Sequence, residues 1–166
     1  MPNSILDQAK AQVNADRCTL WLIDTESNEL WTKIPVAGGA LQTIRLPRDA
    51  GFVGQVAMTG EPFLIPFDLY THPDTQRIQD TDRQTGYRTC SLLCMPLFNA
   101  NHALIAVIQF VNKINPGQHP PYDPASYPAA PACWQASFSP ADQAAIAVFN
   151  TQISARLAHL ETLFEP

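Results

Sequence analysis

A chain of 166 residues, 46% hydrophobic and 15% charged, suits one domain around one core and is too apolar for a disordered segment. Its formal net charge of −5, with no basic run, excludes a general attraction to nucleic acid or to an anionic membrane, so any anionic ligand must be held by local donors. No apolar stretch approaches the roughly 20 residues of a membrane span, and the start MPNSILDQAK lacks the regions of a signal peptide; a cytoplasmic location is expected.

Ser4 is placed to N-cap a first helix running to about Asn14, with Ile5, Leu6, Ala9 and Val13 on one face. CTLWLID (18–24) reads as a strand, and the turn TESN joins it to ELWTKI (29–34) as a hairpin. Gly38-Gly39 breaks the chain before a third strand, QTIRLP (42–47). In GFVGQVAMTGEP (51–62), Phe52, Val56 and Met58 share much of a short helical face, and Gly60 is placed to end it. FLIP (63–66) follows as a short buried strand. Residues 67–88 are polar and read as a surface segment with one helix and loops, long enough to suggest function.

SLLCMPLF (91–98) and ALIAVIQFVN (103–112) are strong strands, and NANH between them makes an antiparallel hairpin. Residues 115–131 carry six prolines, a density that excludes helix and central strand, so an exposed loop is expected. Ser139-Pro140-Ala141-Asp142 has the chemistry of a helix start. Ile146, Phe149, Ile153, Leu157, Leu160 and Phe164 then follow at spacings of three or four, which predicts a helix over 140–164, roughly 38 Å long. It either packs wholly on the sheet or outruns the domain and pairs with a second copy. The sum is an α+β domain with a six-stranded antiparallel sheet.

The four cysteines, Cys18, Cys90, Cys94 and Cys133, form no C-x-x-C pair, so no metal site is expected. Cys18, Cys90 and Cys94 sit in apolar segments and read as small core residues. No Ser/His/Asp or Cys/His arrangement, phosphate-binding loop or metal-ligand pair is evident, so no catalytic residue and no cofactor are assigned.

Asn112-Lys113, later Phe138 and then Asp142, resembles the N-K-…-F-x-x-x-D-E signature of GAF domains in cyclic-nucleotide phosphodiesterases and cyanobacterial adenylate cyclases, with Gln143 in place of the final acid. CTLWLID, IRLPRDAGFVGQVAMTGEPFLIP, HPD, DRQTGYRT, LLCMPLF and VIQFVNK match in order, over about residues 16–158. The departure is the proline-rich insertion, which opens a gap of 24 residues between Lys113 and Phe138. Such a loop leaves the sheet intact, because closure entropy grows slowly with length. The resemblance implies a GAF fold, with N- and C-terminal helices on one sheet face and a ligand pocket on the other. It also implies a structural salt bridge between Lys113 and Asp142.

The implied ligand is a cyclic nucleotide. Its phosphate suits backbone N–H groups at helix starts, here near 52–58 and 74–82, and the stretch around Phe52, Val53, Arg77 and Ile78 is the candidate cradle. By resemblance, Phe52, Val53 and Ile78 lie near the phosphate, and Thr85 and Thr89 bring hydroxyls to the ligand with Asp82 close by. Thr85-Gly86 read alone is a simple turn. Thr19 and Gln109 resemble positions at the base or ribose. Thr19 faces away from its strand neighbours Cys18 and Leu20. Gln109 is the one polar side chain in ALIAVIQFV: it satisfies a strand end, or it reads a base edge. The amide favours cAMP over cGMP. Relatives hold the base with an aromatic–acid pair, and Val36-Ala37 stands in its place.

The expectation is a regulatory domain that binds cAMP or cGMP, forms a homodimer through its terminal helices and relays the signal to an effector in the same longer chain. That effector is a cyclase, a phosphodiesterase or a kinase. The competing expectation is a ligand-free dimerisation and relay module. A bilin photosensor is disfavoured by the lack of a Cys-His dipeptide.

Overall fold

A computed structural model describes residues 4–158. The Ser4 side chain accepts from the Asp7 amide at 3.1 Å and starts α1 (Ile5–Val13); Asn14 ends it in the left-handed region at φ 50°, a conformation that asparagine tolerates. Six strands follow: β1 (Ala15–Asp24), β2 (Glu29–Pro35), β3 (Leu41–Pro47), β4 (Phe63–Ile65), β5 (Leu92–Phe98) and β6 (Leu104–Lys113). They form one sheet in the order β3-β2-β1-β6-β5-β4, and every neighbouring pair is antiparallel.

The two-residue period of the strands sorts their side chains onto two faces. Leu20 and Leu22, Leu93, Met95 and Leu97, and Ala106, Ile108 and Phe110 share one face with Ile5, Ala9 and Val13 of α1 and Ile146, Phe149 and Ile153 of α4 (Pro140–Ile153). Leu20, Leu22, Ile108 and Phe110 are fully buried there, each stabilising by about 2 kcal/mol. On the opposite face Ile23, Leu92, Cys94 and Val107 meet α2 (Gly51–Thr59) and the segment after β4. That segment contains a 3-10 turn, Leu69–Thr71, and α3 (Gln76–Thr85).

Two expectations need correction. Met58 is 61% exposed, and the buried stripe of α2 is Val53, Val56 and Ala57; a helical period places 53, 56 and 57 together and turns 58 away. Gly60 does end α2, at φ 72°. Secondly, α4 stops at Ile153 and tightens into a 3-10 turn over Ser154–Ala158. The Thr151 hydroxyl donates to the Ala147 carbonyl and the Ser154 hydroxyl to the Thr151 carbonyl, a local competition that disfavours further α-helix. The remainder of the expected helix, with Leu160 and Phe164, lies outside the described residues. The proline-rich segment is the exposed loop expected, with none of residues 115–131 buried; its Tyr122 stacks at 4.6 Å on Trp134, a buried residue just beyond it.

Candidate functional site

The β1–β6 register sets Thr19 opposite Gln109, and the β5–β6 register sets Gln109 opposite Cys94. These residues lie on the face away from α1 and α4. The Gln109 amide makes no hydrogen bond to any described residue. Two residues beyond Thr19, Trp21 shares its parity and has a buried Nε1 without a partner. Both polar groups therefore carry unused hydrogen-bonding capacity on one patch of the sheet.

Two adjoining cavities rise from this patch. One, of about 510 Å³, is lined by Phe52, Val53 and Gln55 of α2. The other, of about 480 Å³, is lined by Thr19, Asp82, Thr85 and Thr89. Trp21, Arg77, Ile78 and Gln109 line both. All eight candidate ligand residues thus border one continuous depression, whereas Val36 and Ala37, in the turn after β2, border neither cavity.

The helix starts give the depression its electrostatic character. The residue before α2 is Ala50, which has no capping side chain. The residue before α3 is Thr75, whose hydroxyl donates to the His72 carbonyl at 2.9 Å instead of capping. The first-turn N–H groups of both helices are left without side-chain acceptors, and they concentrate partial positive charge. Gly51, Phe52 and Val53 from one helix and Arg77 and Ile78 from the other border the first cavity. Arg77 is exposed and makes no ion pair. Asp74 is the one acid of that cavity and Arg77 its one base, so side-chain charge cancels and the helix ends tip the balance towards an anion.

The acid and hydroxyls of the second cavity are largely occupied. Asp82 accepts from the Thr89 amide at 2.7 Å, the Thr89 hydroxyl at 2.9 Å and the Tyr70 hydroxyl at 2.7 Å. Burial, and then the bond to Asp82, push the Tyr70 phenol up, so it remains a protonated donor. The Thr85 hydroxyl sits at the end of α3, accepting from the Tyr87 amide at 3.2 Å, as a turn threonine does. Arg17 lies 3.6 Å over the Tyr87 ring at the cavity's far end. Sequence reasoning singled out neither Trp21, Arg17 nor Tyr87; the strand parity shared with Thr19 marks Trp21 and Arg17.

Lys113 and Asp142 lie apart from the cavities. Lys113 Nζ donates to Asp142 Oδ1 at 2.9 Å and to the Val13 carbonyl at 2.8 Å. Asp142 Oδ2 accepts from the Ser139 amide at 2.9 Å, while the Ser139 side chain accepts from the Asp142 amide at 3.3 Å, a reciprocal cap on α4. Asn112 beside it is fully buried. Its Oδ1 accepts from the Cys90 and Ser91 amides, and its Nδ2 donates to the Tyr87 hydroxyl and the Arg88 carbonyl.

Burial pushes the Cys90 and Cys94 thiols up to about 12, as inert core cysteines. No cluster of His, Cys, Asp or Glu that could hold a metal occurs among the described residues. No helix among them is long and apolar enough to cross a membrane.

A six-stranded antiparallel sheet with helices on one face and a helix-roofed depression on the other defines a small α+β domain. The sequence matches the GAF domain family over residues 3–157, and the chain belongs to that family, the regulatory domains of signalling proteins. It is 34% identical over 118 residues to the dual 3',5'-cyclic-AMP and -GMP phosphodiesterase 11A of Takifugu rubripes, covering 64% of this chain and 12% of that protein. It is 31% identical over 120 residues to the probable 3',5'-cyclic phosphodiesterase pde-5 of Caenorhabditis elegans, covering 66% and 16%. The chain therefore spans only a small part of these relatives. The GAF domain of an Acinetobacter phosphoenolpyruvate-protein phosphotransferase shares the fold with a TM-score of 0.57 at 16% identity, over 95% of this chain and 80% of that one.

Proposed function

We propose that this domain binds a cyclic nucleotide, cAMP in preference to cGMP, and relays its binding to an effector of a longer cytoplasmic signalling protein, a cyclase or a phosphodiesterase. The observation that carries the reading is the pair of uncapped helix starts, α2 and α3, opening with Arg77 onto one cavity. Free backbone N–H groups from two helices can neutralise a singly charged phosphate without any basic patch. Gln109 stands on the floor with its amide unspent, and an amide pairs with the donor–acceptor edge of adenine. Guanine presents a donor-rich edge that suits a carboxylate better. Phe52, Val53 and Ile78 line the phosphate end, while Thr19, Thr85 and Thr89 border the remainder, with Asp82 holding Thr89 in place. The domain itself carries out no catalysis in this account. The terminal helices α1 and α4 lie together on the far face and form the homodimer contact, with Val148 exposed on α4.

Equilibrium titration of labelled cAMP and cGMP tests the proposal. Micromolar or tighter binding is expected, with cAMP preferred. Arg77→Ala weakens both nucleotides by about tenfold, as for one lost charged hydrogen bond. Gln109→Glu lowers cAMP affinity by a similar factor and reverses or abolishes the preference. Absence of binding of either nucleotide overturns the reading. It would leave a ligand-independent dimerisation and relay module, which the lack of a base-holding aromatic–acid pair at Val36-Ala37 supports.

A further inference from the structure

The proline-rich insertion is fastened to the segment that roofs the cavities, at the C-terminal end of α3 and at the 3-10 turn that precedes the helix. At the C-terminal end, the Tyr122 hydroxyl donates to the Gly86 carbonyl at 2.6 Å. Gly86 itself has φ 79°, and a Cβ there would meet Pro124 Cβ at 3.0 Å, so the insertion seats against a bare backbone. Two residues further on, Arg88 Nε donates to the Pro128 carbonyl at 3.0 Å, while its Nη2 donates to Asp68 at 2.8 Å and its guanidinium lies 3.5 Å over the Tyr70 ring, which ties this end to the 3-10 turn. The Tyr127 hydroxyl lies 3.2 Å from that of Tyr70, which donates onward to Asp82 in the cavity wall. A chain of hydroxyls thus runs from the insertion to α3. Trp134 anchors the loop from below, 5.1 Å from Tyr87 and stacked on Tyr122.

We propose that the insertion is a strap that holds α3 down over the sheet and so slows release of whatever occupies the cavity beneath. The ligand half of this inference rests on the cyclic-nucleotide reading; the mechanical half does not. Holding the last turn of a short helix against the turn that precedes it opposes the opening motions by which its amides exchange and by which a ligand escapes. The Tyr122 ring also packs on Trp134 and Tyr87, so only loss of the hydroxyls isolates the ties to α3 and its flanks, and neither tyrosine borders the cavity that Gln109 floors.

The test is hydrogen exchange on the chain and on its Tyr122→Phe, Tyr127→Phe and double variants, all of which keep the rings. Each single variant should raise exchange of the α3 amides about fivefold, and the double roughly 25-fold if the two bonds act independently, with β1 and β6 unchanged. Dissociation of bound cAMP should accelerate by similar factors. If the double variant loses protection throughout the sheet, Tyr127→Phe alone, which deletes a single oxygen, carries the test with the same expectation. Wild-type exchange in α3 of the variants overturns the strap, whether or not cAMP binds. Faster α3 exchange in a protein that binds no cAMP upholds the strap and overturns the cyclic-nucleotide reading.

Discussion

Asp68 shows how much a single side chain contributes to the roof of the site. Burial pushes its carboxyl up, but the hydrogen bonds from Arg88 and from the Tyr70 amide, with the charge of Arg88, together outweigh that, and the net value falls below the ordinary carboxylate range. A carboxyl whose folded pKa is depressed takes up its proton more readily when unfolded. Its contribution is therefore complete above an unfolded pKa of about 3.9 and is lost as pH falls through the folded value. The thermal midpoint should drop as pH is lowered from about 4.5 towards 3, and Asp68→Asn should show a smaller drop over that window. Equal acid sensitivity of the two proteins would remove Asp68 from the account. At this scale the sequence was informative wherever strand parity applied. Alternation in CTLWLID put Thr19 on the face opposite Leu20, while Gln109 was singled out only as the one polar side chain of its apolar run, and the structure sets it on the face away from Ile108 and Phe110. It did not show that Asp82 and the Thr89 hydroxyl are bound to each other. That pairing depends on how the loop after α3 returns to β5.

Between elements, the tie at Lys113 and Asp142 joins three pieces: the end of β6, the start of α4 and, through the Val13 carbonyl, the end of α1. Asp142 also closes the α4 capping box, so the pair does more than a surface ion pair. Removing one partner leaves a half-buried charge uncompensated and an amide uncapped. Asp142→Ala should cost about 2–4 kcal/mol in denaturant unfolding. Lys113→Met with Asp142→Ala should cost less than the two single losses combined. Strict additivity would mean that the two groups do not interact. The start of α4 was legible because Ser139-Pro140-Ala141-Asp142 is local cap chemistry. Its end was not. The apolar spacing continues past Ile153, while the α-helix gives way to a tighter turn where Thr151 and Ser154 bond back to carbonyls. The α2 stripe was misread at Met58 for a simpler reason: a nine-residue helix offers too few turns to fix its phase.

Over the whole molecule, the sheet separates two tasks. One face is sealed by α1 and α4 with an apolar core; the other carries α2, α3 and the depression between them. The six antiparallel strands were readable, since each strand and hairpin carried local signals; the division into faces came with the family resemblance, and the order of strands across the sheet was not read. The role of the insertion was not. Proline density predicts an irregular chain but says nothing of where Tyr122, Tyr127 and Trp134 dock, and their partners lie far off in sequence, from Tyr70 to Arg88. On the proposed function a cyclic nucleotide seats its phosphate between the starts of α2 and α3. Amide chemical shifts followed during a cAMP titration test this most directly. Saturable shifts are expected of the Phe52, Val53, Arg77 and Ile78 amides and of the Gln109 side-chain amide, with larger changes than cGMP produces at equal concentration. Unmoved amides at both helix starts under millimolar cAMP would contradict it.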